Sequence, residues 1–242
     1  MARRRQEPQL PSGPAAEPTT GLEPLLKTDL PAAEAARAVG REVLAKHCGT
    51  MTLREWWAKA SDPDDLDPFI ALGRPTSEAR RRRTRIACRF VRSVIHLLGR
   101  RIDEPRRCLD LLEHWCDGDE GATPERIREA AHFCVNRMFG FSRPPTNLRR
   151  QEWTVAMRTA VINRRVTQAV CFAATLPGRM REAKRGLVKA AAAVVGAAAI
   201  AASDDRGRTA GRKRRALTAL LRAEYPDPVV ALTERLAELR GD

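Results

Sequence analysis

The segment TSEARRRRTRIACRFVRSVIHLLG, residues 76–99, limits what this chain can fold into more than any other stretch. Ile86, Ala87, Phe90, Val91, Val94, Ile95, Leu97 and Leu98 recur three and four residues apart, the period that brings side chains to one face of an α-helix. In a β-strand, alternate residues point to opposite faces, so the same residues would be split between core and water. The spacing therefore predicts a helix, capped at Ser77 and stopped at Gly99. Arg81, Arg85, Arg89, Arg92 and His96 form a second stripe, about 22 Å long at ~1.5 Å per residue.

The rest of the chain repeats this signature. Thr52 and Glu55 have capping-box spacing, with Leu53, Trp56, Trp57 and Ala60 on a short apolar face. EPRRCLDLLEHWC (104–116) is amphipathic, and Thr123 followed by Pro124 signals a helix start running to about Met138. Helices are also expected over 31–47, 147–176 and 177–203, and two more over ALTALLRAEYP and DPVVALTERLAELR, split at Pro226 and Pro228. Between them DDRGRTAGRKRR (204–215) reads as mobile at its beginning and basic throughout. One Tyr and six Phe among 242 residues, against abundant Ala, Leu and Arg, favour helix over sheet. The expected fold is all-α, an irregular multi-helix bundle. Residues 1–30 read as a disordered Pro-rich tail, 31–142 as an N-terminal helical lobe and 143–242 as a C-terminal helical lobe with a basic face.

No run of apolar residues is long enough to span a bilayer, and Arg3, Arg4 and Arg5 are not followed by the apolar stretch of a secretory signal. The six cysteines are unevenly scattered in a chain too long to need staples, which points to reduced thiols in a cytoplasmic protein.

The formal net charge is +14, from 44 basic and 30 acidic residues. Residues 143–215 hold 17 basic residues and 4 acidic ones, so most of the excess lies in one third of the chain. Phosphate backbones attract such density by counterion release. Aromatic side chains for base stacking are scarce there, Trp153 being the main one, and no recognition module is legible.

Motifs for catalysis and metal binding do not assemble. His114-x-Cys116 and His132-x-Cys134 each place two ligand types about 200° apart on a helix, so neither pair serves one ion. DPDDLD (62–67) and DGDE (117–120) lack the pattern of a calcium loop and read as turns and caps. GRTAGRKRR (207–215) has the wrong glycine spacing and no Lys-Ser/Thr ending for a phosphate loop. The Ala-rich stretch 190–202 reads as a packing helix that allows close approach. No cofactor, metal or catalytic residue is expected.

The segments MTLREWWAKASDPDDLDPFI (51–70), RIACRFVRSVIHLLG (85–99), LLEHWCDGDEGATPERIREAA (111–131) and ALLRAEYPDP (219–228) together resemble a large planctomycete protein family of unassigned activity. The resemblance covers about 51–228 and implies that residues 1–50 precede a family-type beginning at Met51. A chain starting at Met51 is then expected to fold alone. The family pattern has two adjacent cysteines and a Trp where this chain has Phe90-Val91 and Ile95, so a paired-cysteine role does not carry over.

Two functions follow as expectations. The first is a non-catalytic helical scaffold or protein-interaction module with a protein partner. The second is a nucleic-acid binder using the basic 143–215 region. In either case the residues expected to meet the nucleic acid or acidic partner are Arg149, Arg150, Arg158, Arg164, Arg165, Arg181, Arg185, Arg212, Lys213, Arg214 and Arg215.

Overall fold

The computed structural model describes residues 30–74, 77–101, 103–139, 154–178, 183, 185–202 and 206–241. The architecture is all-α. The helices are α1 (Ala32–Ala38), α2 (Glu42–Cys48), α3 (Leu53–Lys59), α4 (Pro63–Leu66), α5 (Glu78–Arg92), α6 (Asp103–Asp117), α7 (Pro124–Phe139), α8 (Val155–Ala174), α9 (Gly186–Ala201), α10 (Arg206–Glu224) and α11 (Pro228–Arg240). A single-turn 3₁₀ segment follows α4 (Asp67–Phe69) and a longer one follows α5 (Ile95–Arg101). Among the described residues the only β-type pairing is an isolated bridge between Pro31 and Thr52, and no helix is long and apolar enough to cross a membrane.

Local chemistry sets most of the boundaries. Thr52 and Glu55 close a reciprocal capping box at the start of α3. Ser77 caps α5, Thr154 caps α8, and Asp227 with Pro228 opens α11. The helix expected over 31–47 is two helices. Gly40 adopts φ +71°, a left-handed conformation that ends α1 and that glycine accepts without a Cβ penalty. The α-helix expected over 76–99 ends at Arg92 and tightens into 3₁₀ geometry through the position of Gly99. Of the helix expected over 177–203, Gly186–Ala201 is helical and Ala183 is also helical, while 179–182 and 184, like 147–153, lie outside the described residues.

One expectation changes from Arg206 onward, while 204 and 205, where that run begins, lie outside the described residues. The basic run read as mobile at its beginning is helical from Arg206, continuous with ALTALLRAE in a single helix. Arg, Lys and Ala are good helix formers, and their summed propensity outweighs the ~1 kcal/mol cost of Gly211. Two of the basic side chains also anchor this turn of helix to the body, as described below.

The core is a single cluster of buried side chains running from Leu30 to Leu236. It crosses the expected division at 142/143, which itself lies outside the described residues, as does the expected tail except for Leu30. Leu30 is buried, and its carbonyl accepts the Leu53 N–H at 2.7 Å while Ala32 N–H reaches the Met51 carbonyl at 2.9 Å. Ala32, Ala35, Ala36 and Cys48 are fully buried. Residues 30–48 are thus part of the packed body, and a chain beginning at Met51 would leave their neighbours uncovered.

The Ala-rich helix packs as its composition suggests. Ala190, Ala193, Val194 and Ala197 of α9 are buried beside Val166, Ala169, Val170 and Ala173 of α8. Small side chains bring the two axes close, and each buried methyl contributes to a seam with little loss of rotamer freedom.

Candidate mixed-charge cleft

The arginine stripe of α5 turns inward. Arg85 donates to Glu224 of α10 at 3.1 Å and to the Cys116 carbonyl at 3.4 Å, and Arg89 donates to the other Glu224 oxygen at 3.0 Å. Arg92 grips Glu113 of α6 through two bonds of 2.7 and 3.0 Å and meets Asp110 at 2.5 Å. Those carboxylates hold the Arg92 proton more tightly than usual. The stripe is an electrostatic seam joining α5 to α6 and α10.

Two more arginines of α5 lie deeper. Arg80 and Arg83 are fully buried. Arg80 forks onto the Gly73 carbonyl (3.1 and 2.7 Å) and reaches the Leu176 and Gly178 carbonyls (2.6 and 3.2 Å), tying the α5 start to the end of α8. Gly73 permits this: its φ is +73°, and a Cβ there would collide with Ser77 Oγ and the Arg80 amide. Arg83 pairs with Asp67. Arg222 of α10 similarly donates to the Trp57 carbonyl at 2.7 Å and to the Ala60 carbonyl. Planar guanidinium groups with five donors suit this use, because one side chain can satisfy several buried acceptors.

The residues expected to form a basic binding face, where described, lie on α8, on α10 and just before α9. Arg149, Arg150 and Arg181 lie outside the described residues. Arg158 and Arg164 on α8 are half-buried. Arg165 is exposed and lies across Gly196 of α9, where an added Cβ would meet its side chain at 3.6 Å. On α10, Lys213 donates to the Ser93 carbonyl at 3.1 Å and Arg214 pairs with Asp62 at 3.0 Å, while Arg212 and Arg215 are exposed. Arg185 lines a cleft.

That cleft, of about 790 Å³, lies between α2, α4 and the start of α9. Asp64 and Asp65 form one side, Arg41, Arg185 and Lys189 contribute the opposite charge, and Leu44, Trp56, Pro68 and Val188 supply apolar surface. The acidic side follows from the sequence DPDDLD. Asp62 caps α4 by accepting the Asp64 N–H at 3.1 Å, with Pro63 at the first helical position, and Asp67 is spent on Arg83. Asp64 and Asp65 are left at the cleft. Partial burial, then repulsion from Asp62, Asp67 and Asp65, pushes the Asp64 carboxyl up to about 6, against a weaker pull from Arg214. Partial burial and Asp62 also raise Asp65, while His47 draws it down. His47 Nδ1 sits 2.7 Å from the Val43 carbonyl, which fixes the proton on that nitrogen when the ring is neutral. Lys189 rests 5.4 Å from the centre of the Phe172 ring. The Trp56 indole N–H is buried with no hydrogen-bond partner among the described residues.

Burial holds the Cys116 and Cys171 thiols up to about 12, so both are protonated and poor nucleophiles at neutral pH. His114 is exposed and meets Asp119 at 3.4 Å, whereas Cys116 points into the core, as the helical geometry requires. Among the described residues no group of three His, Cys, Asp or Glu side chains is arranged to hold a metal ion. Sequence reading assigned DPDDLD to caps and turns, which is right for Asp62. It missed Asp64 and Asp65 as a cleft wall because the opposing bases lie on segments 20 or more residues away on one side and more than 100 on the other.

No family model matches the chain. No curated protein and no solved structure matches it either.

Proposed function

We propose that this protein is a non-catalytic helical interaction module whose cleft between α2, α4 and α9 receives a mixed-charge segment of a protein partner. One observation carries the reading: Asp64 and Asp65 face a cleft that also holds Arg41, Arg185 and Lys189, over apolar surface. A polyanion would meet the aspartates and a polycation the arginines, whereas a peptide carrying both signs around an apolar residue satisfies each. The volume falls in the range of sites that enclose small ligands or a few residues of peptide. Six free thiols, five of them buried, fit a reducing compartment, and we place the protein in the cytoplasm.

The test is titration with a short peptide alternating Glu, Leu and Lys, followed by tryptophan fluorescence and by calorimetry. Binding is expected, with loss in Asp64→Asn/Asp65→Asn and in Arg185→Ala/Lys189→Ala. Absence of binding to the mixed-charge peptide, or equal binding by both double variants, overturns the reading.

A second reading is nucleic-acid contact, favoured by Arg212 and Arg215, which are exposed three residues apart on α10. It predicts binding to random duplex that weakens steeply with salt, by a slope that flattens in Arg212→Ala/Arg215→Ala. No binding at low salt rejects it.

A further inference from the structure

α6 and α7 form an antiparallel hairpin, and the Cys108 and Cys134 thiols meet in its seam. That contact sets the register: a residue on α6 lies level with the α7 residue whose number brings the pair to the same sum. On the outer side runs a groove of about 350 Å³ whose lining includes Glu104, Arg107 and Leu111 from α6 and Arg126, Glu129 and Phe133 from α7. Phe133 is 56% exposed, whereas Ile127 and Cys134 of the same helix are buried.

With the thiol contact as reference, the charges fall in a definite order along the groove. Glu104 comes first, then Arg107, then Phe133 and Leu111 at the middle, then Glu129, then Arg126. The sequence of signs is acid, base, apolar, acid, base. Reversed end to end it becomes base, acid, apolar, base, acid. Each charge therefore meets its opposite when the groove is laid on a copy of itself turned through a two-fold axis. The midpoint between Glu104 and Arg126 coincides with the midpoint between Arg107 and Glu129. Both fall between Phe133 and Leu111. The outer pair spans about 18 Å at ~1.5 Å per residue, so all the contacts lie within one continuous patch.

We infer that this groove is a self-complementary interface and that the protein forms a two-fold dimer through α6 and α7. The occupant is a second copy of the chain. Glu104 of each copy faces Arg126 of the other, Arg107 faces Glu129, and the two Phe133 rings, close to the axis, cover each other and Leu111. Isologous pairing of this kind uses one patch twice and closes on itself. Arg126 also holds the Gly121 carbonyl, and the remaining donors of its guanidinium are enough for a carboxylate. The inference is independent of the cleft, which lies on other helices.

Sedimentation velocity on the full chain over a wide concentration range tests it. The unaltered protein is expected at twice the chain mass. Arg107→Glu and Glu129→Arg should each weaken association roughly tenfold or more, because each puts two like charges face to face twice. Mixing these two variants should restore the double mass: each inner contact then joins a copy with acids at both 107 and 129 to a copy with bases at both, and the Glu104–Arg126 contacts are unchanged. The double variant R107E/E129R should also dimerise, since its signs are exchanged but still complementary. Phe133→Glu should give a single-chain species with unchanged helical circular dichroism. A single-chain unaltered protein at every concentration overturns the proposal. So does a dimer that survives the Arg107 and Phe133 substitutions, or single-charge variants that stay apart when mixed.

Discussion

Helices α5 and α10 look alike in sequence and behave differently in the fold. Each begins with a dense basic run, EARRRRTR in one and RGRTAGRKRR in the other. On α5 the run is consumed by the protein itself: Arg80 and Arg83 are buried, and Arg85, Arg89 and Arg92 reach acids on neighbouring helices. On α10 the run is divided. Lys213 and Arg214 anchor the helix to Ser93 and Asp62, while Arg212 and Arg215 remain in water. The difference lies in what surrounds each helix. α5 packs against α6, α8, α9 and α10. The first turns of α10 sit at the edge of the body. A high arginine count is therefore no measure of a binding surface until each guanidinium has been traced to its acceptor.

The largest way to break this comparison is Arg80→Met. It strands the Gly73, Leu176 and Gly178 carbonyls and is expected to cost about 3–5 kcal/mol in chemical denaturation. Arg80→Lys should not recover it, because an ammonium cannot fork across those acceptors. Unchanged stability in Arg80→Met would show that the strut is dispensable.

Next comes the seam. Glu224 serves both Arg85 and Arg89 with its side chain 12% exposed. Glu224→Gln should lower stability by about 1.5 kcal/mol, measured by urea unfolding at low and high salt. An effect that vanishes in salt would mean the pair behaves as a surface contact.

Smaller, and of opposite sign, is Asp64→Asn. The folded chain holds the Asp64 proton up to about pH 6, above the ordinary carboxylate value of 3.8, so the carboxylate form is the one the fold disfavours. Its penalty is absent below about pH 4 and complete by pH 7. The substitution should stabilise the protein by about 0.5 kcal/mol at pH 7, the side chain being only partly withdrawn from water and its charge screened, and by nothing at pH 4. Smallest of all is Arg212→Ala/Arg215→Ala, which should stay within about 0.5 kcal/mol of the unaltered protein in the same unfolding assay.

These residues also show what was legible in the sequence. The helix starts were readable because capping is local: Ser77, Thr52 with Glu55, and Thr123 with Pro124 each declare themselves within four residues. The buried arginines left a signal that charge obscured. Stepping back by three or four from Phe90 and Ala87 along the apolar stripe leads to Arg83 and Arg80, so the core face of α5 simply continues into them. Their acceptors, the Leu176 and Gly178 carbonyls and Asp67, could not be read, since those depend on where distant backbone comes to rest. The same limit hid the cleft, where Asp64 and Arg185 meet across more than 100 residues. It also kept the basic run from reading as part of the helix that begins at Arg206: Asp62 and Ser93, which hold its basic turn, lie far away in sequence.

The central claim is that the basic run of α5 is largely structural, whereas that of α10 is structural in part and solvent-facing in part. Hydrogen exchange at guanidinium Nε–H groups, followed by ¹⁵N NMR with single arginine substitutions for assignment, tests it most directly. Slow exchange is predicted for Arg80, whose Nε donates to Gly73, and for Arg92 and Arg222, whose Nε groups donate to Glu113 and Trp57. Arg212 and Arg215 should exchange at the rate of free arginine. Uniformly fast exchange across all five would contradict the account.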